Sequence, residues 1–157
     1  MVKTYRILAM TIAVLVGVQA ASHAWASAGI GAYVTGGGVI DASLMEGDGP
    51  MPFVEIIGFI VHGVNGGIVI PAVALALLVV SFFTKVPGAL KWAGIVLGLV
   101  AVQMTLGYSA RELALLALFH GLNALLLFAA ALVAWRTPKR ATAAGATTAT
   151  KVGTVGV

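Results

Sequence analysis

The chain has 157 residues, 61% of them hydrophobic and only 9% charged, with a mean hydropathy of +1.08. That composition excludes an ordinary soluble domain, and the absence of cysteine excludes a disulfide framework, a thiolate metal site and covalent c-type haem attachment. The net charge of +4 is spread as a membrane-topology signal and does not point to nucleic acid.

Residues 1–6 form a short basic head, and an apolar run follows over about 7–26. Residues 28–52 are rich in glycine and then acidic, with Asp41, Glu46 and Asp48 near Pro50 and Pro52, which reads as a loop. The second apolar run covers 53–83, and residues 84–91 make a basic turn around Pro87-Gly88. The third run covers about 92–108, and Ser109-Ala110-Arg111-Glu112 forms a tight connection to the fourth run at 113–135. Runs of this length span a bilayer, and backbone groups in lipid must bond internally, so each run is expected to be a helix. The expected fold is therefore an all-α integral membrane protein, a four-transmembrane-helix bundle over residues 1–136. The Ala/Thr/Gly-rich residues 137–157 read as a disordered cytoplasmic tail.

Loop charge sets the orientation. Lys3, Arg6, Lys85, Lys91, Arg136, Lys139, Arg140 and Lys151 fall on one side, against Arg111 on the other. The positive-inside rule puts both termini in the cytoplasm of a multi-pass plasma-membrane protein. Tyr5, Trp92 and Trp135 would mark the inner interface, and Trp25 and Tyr108 the outer one. The first run also has the pattern of a secretory signal, with small-x-small sites such as Ala24-Trp25-Ala26. Its length suits a retained span.

One phrase occurs twice inside these runs: His62-Gly63-Val64-Asn65 and His120-Gly121-Leu122-Asn123, 58 positions apart. Polar and ionisable side chains in a membrane helix are costly and are functional candidates by default. Both histidines lie nine residues into helices of the same sense, roughly 13–14 Å from the outer end at 1.5 Å per residue. The first and third helices each carry one glutamine, in Val18-Gln19 and Val102-Gln103. The matched positions suggest a duplicated helical hairpin with a two-fold axis along the membrane normal.

Neutral imidazole is a good iron ligand, and histidines on facing helices can hold haem in a bundle. On this reading His62 and His120 ligate a b-type haem (haem b) between helices two and four, with Gly63 and Gly121 leaving room for the macrocycle. Asn65, Asn123, Gln19 and Gln103 would line the cofactor, and Glu55, seven residues before His62, would assist as a hydrogen-bond partner or proton carrier. His23, near the outer interface, is expected to be solvated or to neighbour a propionate. The competing reading makes His, Asn and Gln interhelical hydrogen-bond glue in a non-catalytic scaffold or accessory subunit. Gly63/Gly67 and Gly94/Gly98 would then be close-packing pairs. A proton-coupled transporter resting on Glu55 and the histidines is a third reading. Pro71 is expected to kink the second helix, and the scattered methionines have no copper-site spacing. No catalytic constellation is present. The expected partners are the bilayer and a membrane redox partner or a second copy of the chain.

The early histidine of helix two, Gln103-Met104-Thr105-Leu106-Gly107 ending helix three and Leu118-Phe119-His120 in helix four resemble one four-helix half of the haem A synthase family. The resemblance covers residues from about 7 to 135 and implies haem ligation by His62 and His120. A single bundle, with Gly63 after His62 and Phe59 where the family carries an acidic residue, implies a small relative with a binding or electron-transfer role.

Overall fold

The computed structural model describes the backbone of residues 1–41 and 50–153 and the side chains of 1–41 and 50–138. Among these residues the chain is all-helical, without strands. The elements are α1 (Val2–Thr35), a 3-10 turn at Val54–Ile56, α2 (Ile57–Val64), a π-helical turn at Asn65–Val69, α3 (Ile70–Ser81), α4 (Ala89–Ser109) and α5 (Leu115–Gly153). Four stretches are long and apolar enough to cross a membrane: Val2–Thr35, Val54–Ser81, Ala89–Ser109 and Leu115–Pro138.

Helix α1 runs further than its apolar run, because the first residues of the expected 28–52 loop continue it to Thr35. Ala28, Ile30, Ala32 and Val34 tolerate helix, and the Gly36-Gly37-Gly38 triplet ends it. Gly37 adopts φ +91°, Gly37 N–H donates to the Val34 carbonyl at 3.0 Å and Gly38 N–H to the Tyr33 carbonyl at 2.9 Å. This bond pair around a left-handed glycine is a Schellman C-cap. Glu46 and Asp48 of the acidic stretch lie outside the described residues.

The second span is composite. Pro71 has no N–H, and its ring crowds the carbonyl four residues earlier. The helix relieves this by widening into the π-turn at Asn65–Val69 before resuming at Ile70. The irregularity expected at Pro71 is thus expressed one turn earlier. The turn into α4 uses Thr84, whose hydroxyl donates to the Ser81 carbonyl at 3.1 Å, and Gly88, at φ +82°, caps α4. Beyond Arg136, α5 stays helical through Pro138 to Gly153 where the composition suggested a disordered tail. Frequent alanine, the strongest helix former, is the physical reason.

Contacts divide the chain into two compact units, Met1–Val16 with Ile70–Val157, and Gly17–Val69. The core of the first is a set of stripes at helical spacing: Tyr5, Ala9, Ile12, Ala13 and Val16 on α1; Ile70, Ala74 and Leu77 on α3; Ala89, Ala93, Val96 and Val100 on α4; and Leu127, Ala130, Ala131 and Ala134 on α5. The small-xxx-small pairs that let these helices close together are alanines, Ala9/Ala13, Ala89/Ala93 and Ala130/Ala134, all buried. This corrects the assignment of close packing to Gly63, Gly94 and Gly98, where an added Cβ would meet no atom within 4 Å. The Tyr5 hydroxyl, in the same unit, donates to the Ala89 carbonyl at 3.1 Å.

The second unit pairs the later part of α1 with α2. A Cβ on Gly58 would run into the Ser22 carbonyl, so glycine is what permits this close approach. Farther along, Gly29 sits under the Glu55 and Phe53 side chains.

Candidate functional site: two polar clamps

Within the second unit, α1 and α2 bring together Gln19, His62 and Asn65. His62 Nδ1 lies 3.1 Å from the Gln19 main-chain oxygen. A carbonyl can only accept, so the imidazole donates and carries its proton on Nδ1. Asn65 Nδ2 donates to Gln19 Oε1 at 2.9 Å. The three-residue step from His62 to Asn65 places both on one helix face, so a single glutamine receives both.

Within the first unit, α4 and α5 do the same with Gln103, His120 and Asn123. His120 Nδ1 donates to the Gln103 main-chain oxygen at 3.0 Å, and Asn123 Nδ2 donates to Gln103 Oε1 at 2.6 Å. Asn123 Nδ2 also donates to the Leu99 carbonyl at 2.9 Å. Gln103 Nε2 lies 3.1 Å from His120 Nε2. With the ring proton on Nδ1, Nε2 is the acceptor and the amide donates. Gln103 therefore grips both ring nitrogens of His120, one through its backbone and one through its side chain. Asn65 and Asn123 are only 6% and 5% exposed, a depth at which an unsatisfied amide would cost about 1–3 kcal/mol.

All six polar residues singled out in the apolar runs thus enter two sets of three, each inside one hairpin. Each histidine is held by the glutamine of the preceding span. One neighbour, His23, stands close by and is exposed. His23 packs its ring edge-on against His62, with centroids 5.0 Å apart, and against Phe59 at 5.4 Å. Its Nδ1 lies 3.3 Å from the Ser27 hydroxyl. The available signal was spacing, since His23 is four residues after Gln19 and therefore on the same face. Glu55, seven residues before His62, packs on Gly29, ten residues and roughly 15 Å along α1 from Gln19.

The donor set bears on haem. A metal-bound histidine characteristically donates its other ring N–H to a carbonyl or carboxylate, and both histidines make such a bond through Nδ1. An added Cβ at Gly63 or Gly121 would meet no atom within 4 Å, so the helix surface beside each is open. However, the Nε2 lone pair of His120 takes the Gln103 amide, and ligation there requires breaking that bond. Among the described residues no group of three or more His, Cys, Asp or Glu side chains could hold a metal ion. No known family model matches the chain, and no characterised protein or solved structure matches it.

Proposed function

We propose that the chain is a non-catalytic scaffold or accessory subunit of the plasma membrane, with four spans and both termini cytoplasmic. Its polar phrases, repeated within the chain, serve to lock two helical hairpins. The observation that carries this reading is the shared scheme in which histidine Nδ1 donates to a glutamine carbonyl and asparagine Nδ2 to the same glutamine's Oε1. Hydrogen bonds between membrane helices contribute about 0.6–2 kcal/mol each, enough to fix the pairing and rotation of two apolar helices that lipid would otherwise let slide. The recurrence supports an origin by duplication of one hairpin. The excess of Lys and Arg at the two termini and in the 84–91 turn supports the orientation.

A second reading is favoured by the Nδ1–H bonds and the open surface at Gly63 and Gly121. In it, His62 and His120 ligate a b-type haem, and the role is electron transfer or haem handling. The resemblance to half of a haem A synthase belongs with this reading. The absorption spectrum of detergent-purified protein, produced with ample haem, separates the two. Under the scaffold reading the protein has no Soret band, and His62→Ala and His120→Ala each lower thermal stability by about 1–2 kcal/mol. A Soret band that both substitutions abolish would replace the scaffold with the haem protein.

A further inference from the structure

A groove of about 610 Å³ lies within the first unit, between the opening turns of α1 and Trp135 of α5. One end is cationic, lined by Lys3 and Arg6, and the rest is mainly apolar, lined by Ile7, Met10, Val14 and Leu15 with Thr11 among them. Among the described residues no acidic one lines it. The Arg6 guanidinium stands over the Trp135 ring, 5.5 Å from its centroid, and Arg136 stands 5.9 Å from the same ring. Three cations therefore gather at one end of two apolar helices without a carboxylate among the groove's lining residues. Arg6 Nε is buried and has no hydrogen-bond partner, although a buried N–H normally has one.

These features match one class of ligand. From Val2 to Leu15 the lining covers roughly 20 Å of helix, comparable with one leaflet of a hydrocarbon core about 30 Å thick. Basic pockets between membrane helices at the water boundary select anionic headgroups, and a guanidinium fork suits phosphate oxygens. We infer that this groove is a binding site for an anionic phospholipid, with the phosphodiester held by Arg6 and Lys3 and one acyl chain laid along Ile7, Met10 and Val14. The apolar length argues for a lipid over a soluble phosphate. The site is independent of both clamps and of the scaffold reading.

The test uses the full chain in detergent, titrated separately with phosphatidylglycerol, phosphatidylcholine and inorganic phosphate. Thermal unfolding and native mass spectrometry provide the readouts. Phosphatidylglycerol is expected to remain bound and raise the melting temperature, while the other two do neither. Arg6→Gln is expected to weaken that binding by roughly tenfold, and Arg6→Lys by less, since it keeps the charge and loses the fork. Val14→Trp, on a residue 58% exposed, obstructs the acyl path without touching the cations, and is expected to weaken binding even if Arg6→Gln fails to fold. Equal binding of the two lipids, an equal effect of inorganic phosphate, or full affinity in Val14→Trp would each overturn the assignment.

Discussion

The two hairpins carry the same glutamine, histidine and asparagine, but they differ four residues after the glutamine. The first has His23 there, an imidazole set edge-on against His62. The second has Gly107, and a methyl group placed on it would sit 2.9 Å from His120 Cε1. With no side chain at 107, the His120 ring lies against the α4 backbone, close enough for Gln103 to hold both of its nitrogens. In the first hairpin a second ring occupies the corresponding place. The same register position thus sets bare backbone against the clamp histidine in one hairpin and a second imidazole against it in the other.

Removing the glutamine side chain tests this contrast most strongly. Gln103→Leu deletes the bond to His120 Nε2 and the acceptor for Asn123, and is expected to cost about 2–3 kcal/mol at the upper end of interhelical bond energies. Gln19→Leu deletes the acceptor for Asn65 and should cost at least about 1 kcal/mol. Reversible unfolding in mixed micelles would measure both, and equal losses would show that the second clamp is no tighter than the first.

Exchange at the differing position gives an intermediate effect. Gly107→Ala forces the His120 ring away from α4 and is expected to destabilise by about 1–2 kcal/mol, as overpacking does elsewhere. His23→Ala removes an edge-on ring contact worth about 0.5–1.5 kcal/mol and leaves the Gln19 bonds in place. The imidazole signals in an NMR spectrum would separate the two: a shift of His120 in the first variant, and of His62 alone in the second. A His120 signal unmoved by Gly107→Ala would break the proposed link between the glycine and the closed clamp.

Much of this was legible in the sequence because lipid makes polar residues expensive. Gln19, His62, Asn65, Gln103, His120 and Asn123 stand out against apolar runs, and the three-residue steps put His and Asn on one face. The partners were not legible. A histidine's depth along a helix can be counted, but its rotation depends on packing, so the pairing with the preceding glutamine emerges only in three dimensions. The close contacts through Ala9, Ala89 and Ala130 were equally hidden, since alanine is everywhere in such a chain and the rarer glycines draw the eye. The π-turn at Asn65–Val69 had a visible cause in Pro71, although sequence does not say on which side of a proline a helix will adjust.

The smallest expected effect addresses what the two hairpins share. Gly63 and Gly121 each follow a clamp histidine, and each faces open surface. If these positions meet only lipid, Gly63→Ala and Gly121→Ala should change stability by no more than about 0.5–1 kcal/mol, toward stabilisation, because alanine is the better helix former. They should also do so equally in both hairpins. If a flat cofactor or a neighbouring helix lies against those glycines, the added methyl groups would displace it, and stability or bound colour would fall in both variants. Unequal effects would show that the resemblance between the hairpins stops at the clamp and that only one of them uses its outer face.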